Sequence, residues 1–182
     1  AAGRDVNSGS YWWHGEAGLV GQVRPKVNIA LKVGYGQAIY DDGESLDDAR
    51  GITALAKVEW IPRATNHVSL AYDREFVDVY FTNFRVNDRV SAGYRQLLSG
   101  VWLGEATGAF AWQTYSEPFE RRDEVARADL SMRRVLREWA DVGLSYGVER
   151  RWSHESAVTY PSGDAESDYT THRVLLTGNI QW

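Results

Sequence analysis

Cysteine is absent from the 182 residues. That excludes disulfides and thiolate metal sites, and it fits an exported protein. Methionine occurs once, proline four times and phenylalanine five times, against eight tryptophans and ten tyrosines. An excess of Trp and Tyr over Phe means rings that keep one polar end wet, as at a membrane interface. Excess positive charge is missing too: the net charge of −5 gives no reason to expect nucleic-acid binding. No stretch approaches the ~20 consecutive apolar residues that a membrane helix needs. No signal peptide opens the sequence, so an exported protein is represented here in processed or cut form. The length suits one domain with a sizeable core, and no linker or low-complexity segment marks a boundary.

What the sequence does have is alternation. In HRVLLTGNIQW, Val174, Leu176, Gly178, Ile180 and Trp182 share one face, opposite Arg173, Leu175, Thr177, Asn179 and Gln181. This is a β-strand with one apolar face. In KVNIALKVGYGQAIY, Val27, Ile29, Leu31, Val33 and Tyr35 oppose Asn28, Ala30, Lys32, Gly34 and Gly36. The pattern recurs from Trp13 onward and predicts about nine strands, many of a dozen residues or more. The usual strand in a globular protein has only ~5–6. One stretch, RADLSMRRVLREWADV, also admits a helical reading. Short connections are expected near 24–26, 61–66, 98–100 and 136–138. Long polar ones are expected at 41–50, 116–123 and 153–168, with a tighter one near 79–83. Long strands, short turns at one end and long loops at the other form the pattern of outer-membrane barrels.

Periodicity alone does not say which face is inside. A water-soluble barrel carrier puts the apolar face in; a membrane barrel puts it out. Two features favour the membrane arrangement. The apolar faces mix large residues with small ones, including Ala54, Ala56, Ala92, Ala106, Ala126 and Ala128. Aromatics also gather at strand ends. Tyr11, Trp12, Trp13, Tyr40, Tyr80, Phe81, Phe84, Tyr115, Trp152 and Tyr169 stand toward the long loops. Trp60, Trp102, Trp139 and Trp182 stand beside the short turns or at the last residue, as candidate membrane-interface anchors.

The last strand resembles the closing strand of bacterial outer-membrane β-barrel proteins, with alternating apolar residues before an aromatic end. Val174, Leu176, Ile180 and Trp182 match that pattern, and Gly178 interrupts it. The resemblance implies that these four residues act as the insertion signal read by the barrel-insertion machinery. The chain as a whole is also similar to β-barrel porins linked to exopolysaccharide secretion. The expected fold is therefore all-β: an antiparallel up-and-down transmembrane β-barrel in the bacterial outer membrane. Its partners would be outer-membrane lipid and lipopolysaccharide. With the short turns periplasmic, nine strands leave residues 1–10 as an extracellular loop or truncated start and 11–182 as a single barrel domain. Complete single-chain barrels have even strand numbers. About nine strands thus point to part of a larger barrel, completed by another chain or an upstream segment.

The polar face carries the candidate pore lining: Lys57, Glu59, Arg85, Arg89, Arg95, Glu105, Arg127, Asp129, Arg133, Glu149 and Arg173. Interleaved signs would pair across strands, and an Arg-rich sector on two strands would attract anionic solutes. A passive pore or export conduit for small polar or saccharide solutes is the expected role; a structural or anchoring barrel subunit of a larger envelope complex and a soluble β-barrel small-molecule carrier are the alternatives. Catalysis is not expected. His67, Ser69 and Glu75 share a face, but eight residues along a strand separate His67 from Glu75 by roughly 26 Å. His14, His154 and His172 have no ligand spacing. YDDGESLDDAR lacks the acid spacing of a calcium loop, and PSGDAESD reads as an exposed turn. No cofactor is expected.

Overall fold

The structure is a computed structural model that describes residues 10–40, 49–79, 82–115, 121–155 and 168–180. These form nine strands: β1 (Ser10–Arg24), β2 (Val27–Tyr40), β3 (Ala49–Arg63), β4 (Asn66–Val79), β5 (Thr82–Leu98), β6 (Trp102–Tyr115), β7 (Arg121–Arg137), β8 (Ala140–Glu155) and β9 (Tyr169–Ile180). They lie in one antiparallel sheet in chain order, each strand paired with its sequence neighbours. Among the described residues the sheet is open: β1 pairs only with β2, and β9 only with β8. No helix occurs among the described residues.

The stretch that admitted a helical reading forms most of β7 and the start of β8. Its alternation decided the outcome, because β7 is in register with neighbours on both sides. Leu130 stands opposite Ala106 and Tyr146, and Met132 opposite Gly104 and Leu144. A helix would have left those apolar partners unmatched. Strand ends run further than the polar loops suggested, with β7 starting at Arg121 and β8 continuing to Glu155. The acid-rich loop is described only from Ala49 onward, and PSGDAESD only at its final residue, Asp168; the rest of both lies outside the described residues.

The turns at one end are tight. Between β1 and β2 the chain reverses at Pro25 and Lys26, with Lys26 at φ 78°. Proline first and a left-handed residue second suits a two-residue reversal. Between β5 and β6, Ser99 and Gly100 take φ 49° and 72°. Register shifts in β1, β3 and β7 sit beside these turns. The shift in β3 contains Pro62, whose missing N–H is tolerated at such a bulge.

Pairing places every side chain on one of two faces. All eight buried residues among those described (Gly34, Gly36, Asn87, Ala111, Tyr115, Asp123, Gly143 and Gly147) lie on the polar face. Large apolar side chains on the other face stay open, with Leu19 71%, Leu130 59% and Leu176 74% exposed. Hydrogen bonds also leap over a strand on the polar face. His14 Nε2 lies 3.0 Å from Thr53 Oγ1 across β2, and Arg173 Nη2 donates to Asp129 Oδ1 at 3.3 Å across β8. Strands two apart stand about 9.6 Å from each other, so these side chains lean together as the sheet curls toward its polar face. Glycine makes room under the first of them: a Cβ at Gly34 would lie 2.6 Å from both His14 Nε2 and Thr53 Oγ1.

Candidate functional site

The curl makes the polar face the inside of a trough, and the predicted charged residues line it. Most of them meet an opposite charge, within a strand, across a register pair or over an intervening strand. Lys57 Nζ lies 2.6 Å from Glu59, Arg89 Nε 3.3 Å from Asp73, and Arg173 3.3 Å from Asp129. Arg95 pairs with Glu105 directly across β5–β6, and Arg127 with Glu149 across β7–β8. Near one edge Lys32 joins Glu16 at 2.8 Å. Arg85 and Arg133 have no ion-pair partner among the described residues. The Arg-rich sector therefore exists as a wall on β5 and β7, but acids neutralise much of it.

At the long-loop end the trough closes into a denser cluster. The Asp123 side chain is fully shielded from solvent and takes Arg121 Nε at 2.8 Å on one oxygen and Arg151 Nη2 on the other. Arg121 also donates to Ser153 Oγ at 3.0 Å. Arg151 reaches the Tyr115 hydroxyl at 3.1 Å, and the Arg121 guanidinium stands 5.6 Å above the Tyr115 ring. From the other side Arg85 Nη1 approaches the Tyr115 hydroxyl at 3.4 Å and Gln113 Oε1 at 3.3 Å. Gln113 and Asn87 continue the chain to Glu75, whose Oε1 accepts from Asn87 Nδ2 at 3.1 Å. Asp123, Arg121, Tyr115, Asn87 and Gln113 were absent from the predicted lining. Their signal was the period-two phase: 113 and 115 continue the polar-face positions of β6, and 121 and 123 carry those of β7 into what read as a loop.

Below this cluster a groove of about 540 Å³ runs over β4–β7, lined by Ser69, Arg89, Ser91, Thr107 and Arg127 among others. A second, of about 510 Å³, lies over β1–β4 beside Trp12, His14 and Glu16. His67 Nε2 stands 3.9 Å from Glu59, and Ser69 stands opposite Gly93. Glu75, further along the same face, accepts from Asn87 Nδ2.

The apolar face carries the aromatic residues unevenly. Trp60 and Trp139 are 50% and 55% exposed at the short-turn end, and Trp102 lies there under Arg134 at 5.2 Å. Trp182 lies outside the described residues. Val174, Leu176 and Ile180 project from the apolar face of the edge strand β9 and are exposed. Toward the long loops, Tyr11, Trp13, Trp112 and Trp152 hold apolar-face positions. Trp12, Tyr115 and Tyr169 do not: pairing puts them on the polar face, where Tyr115 is buried and Tyr169 donates to Glu149 Oε1 at 2.8 Å. Grouping all strand-end aromatics as one girdle ignored their phase. Tyr40 and Phe84 hold strand positions, whereas Tyr80 and Phe81 lie outside the described residues.

Asp88, an acid in an apolar phase, is matched on its own face. Arg74 Nη1 reaches it at 3.1 Å and Tyr72 donates to it at 2.7 Å. The register continues Arg74–Asp88–Trp112–Glu124–Trp152 across five strands, a polar and aromatic line along the upper margin of the apolar face. No family model matches the chain, and neither does any curated protein or solved structure.

Proposed function

We propose that this sheet is part of the wall of an outer-membrane β-barrel that acts as a passive pore or export conduit for small polar or saccharide solutes. The observation that carries the reading is the inversion of faces: charge lines the curled, more buried side, while Leu, Val, Trp and Met face outward. A water-soluble carrier would expose a continuous apolar surface far larger than monomers usually tolerate. On β7 the apolar side is bounded by Glu124 and Arg134, ten residues apart. At ~3.3 Å per residue and a typical tilt of ~40°, that spans roughly 25 Å, the height of the lipid-facing band in such barrels. Between those bounds stand only Ala126, Ala128, Leu130 and Met132.

The open edges bear on the partners. Strands alternate in direction, so β1 and β9 run the same way. Closure with antiparallel pairs throughout then takes an odd number of further strands, from another chain or another segment. A second copy in the same membrane orientation brings nine, but presents each edge with a strand running parallel to it. In lipid, unpaired edges cost several kcal/mol per backbone group, so such a complement is part of the proposal. Lipid and lipopolysaccharide would contact the apolar face, and the barrel-insertion machinery would read β9.

One observation favours a second reading, an anchoring barrel with a blocked interior: the ion pairs nearly satisfy the polar face by themselves. Planar-bilayer conductance of the native-length protein, extracted from an outer-membrane fraction, separates the two. Stepwise channel openings support the conduit; incorporation without conductance supports the anchor. Absence of the protein from that fraction overturns both.

A further inference from the structure

Among the described residues, Arg85 is the arginine set deep in the polar cluster without a carboxylate partner. Asp123 is occupied on both oxygens by Arg121 and Arg151, and Glu75 is engaged by Asn87. The two bonds Arg85 makes are to neutral acceptors and sit at the long end of the hydrogen-bond range, 3.3 and 3.4 Å. Its Nε–H is buried and meets no acceptor among the described residues. A half-buried guanidinium with an orphaned donor pays desolvation without the Coulombic return a paired one receives. Arg85 also lines the groove over β4–β7, whose volume of about 540 Å³ suits a small-molecule ligand. Its other walls offer hydroxyls and amides, from Ser91, Thr107, Asn87 and Gln113, and two carboxylates already engaged, Glu75 by Asn87 and Asp129 by Arg173.

We propose that Arg85 is a binding position for the carboxylate of a sugar acid within the trough. The carboxylate pairs with the part of the Arg85 guanidinium that lines the groove. Asn87 and Gln113 meet adjacent hydroxyls, with Ser91 and Thr107 further along. Arg89 and Arg127 do not compete, since Asp73 and Glu149 hold them. The inference deepens the conduit reading and rests on it, by naming the solute chemistry the interior is built to meet.

The test is titration calorimetry of the native-length protein in detergent with glucuronate, glucose and acetate, on wild type, Arg85→Gln and Arg85→Lys. Wild type is expected to bind glucuronate in preference to glucose. Arg85→Gln should weaken glucuronate by about tenfold or more, and Arg85→Lys should fall between, having lost the planar fork but kept the charge. Gln113→Ala, which leaves every ion pair in place, should weaken glucuronate more than acetate; it serves if Arg85→Gln fails to fold. No glucuronate binding by wild type, or equal binding by Arg85→Gln, overturns the proposal. Acetate binding as tightly as glucuronate overturns its sugar component. Conductance of the same preparation without glucuronate binding refutes this site alone, whereas absence of conductance refutes the conduit reading itself.

Discussion

Leu130→Arg puts the face assignment under direct strain. Leu130 lies on the apolar face of β7, opposite Ala106 and Tyr146, with 59% of its surface exposed. It is one residue from the midpoint between Glu124 and Arg134, hence within ~3.3 Å along the strand of the centre of the apolar band. If that band faces lipid, arginine there costs about 2–4 kcal/mol. If it faces water, a substitution at so open a position stays within about 0.5 kcal/mol. The neighbouring Ser131→Arg supplies the control: it points into the trough opposite Glu105 and should cost under about 1 kcal/mol. The assay is guanidinium unfolding of the native-length protein in lipid vesicles, followed by tryptophan fluorescence. A Leu130→Arg midpoint equal to wild type refutes the reasoning, as does a Ser131→Arg penalty as large as that of Leu130→Arg.

Other outcomes follow from individual contacts. Asp123→Ala leaves Arg121 and Arg151 facing one another in a shielded site and should destabilise by about 3–5 kcal/mol in the same titration; an unchanged midpoint contradicts the cluster's role. Gly34→Val would drive a Cβ between His14 and Thr53 and destabilise, whereas Gly15→Val, with nothing within 4 Å of its Cβ position, should be tolerated. Equal midpoints for those two variants argue against the convergence of β1 and β3 over β2. Lipids brominated near the headgroup should quench fluorescence that disappears on replacing Trp60 and Trp102 by Phe. Replacing Trp12, which lines the trough, should leave that quenched fraction in place.

The strands were legible because one physical rule, a two-residue period, governs both faces of each of them. The two-phase pattern recovered all nine strands and placed the predicted lining residues, from Lys57 to Arg173, on one face. It failed where phase was not followed to the strand ends. Tyr115, Tyr169 and Trp12 were grouped with the interface aromatics by position along the chain, although each is in step with polar-face neighbours. Asp123 was hidden for the same reason, its polarity suggesting a loop when burial and two arginines make it the most shielded charge described. The helical alternative for β7 fell because matched neighbours on both sides, a property of the sheet, outweigh local propensity. Contacts over glycine, such as His14 with Thr53, depend on how strongly the sheet curls, and no single strand encodes that. Arg85 read as one basic residue among several of the polar face; its lack of an acid partner among the described residues emerged only from register, which gave acids to Arg89, Arg95 and Arg127.

The most direct test of the central claim uses the absence of native cysteine. Single cysteines at Leu130, Ser131, Met132 and Arg133 of β7, then at Leu144 and Ser145 of β8, are spin-labelled in the native-length protein in lipid vesicles. Collision rates with oxygen, which concentrates in lipid, and with a water-soluble nickel chelate are then compared. The account predicts strict alternation: oxygen-rich signals at 130, 132 and 144, chelate-rich signals at 131, 133 and 145. The opposite phase, or chelate access at every position, would contradict a lipid-facing apolar wall.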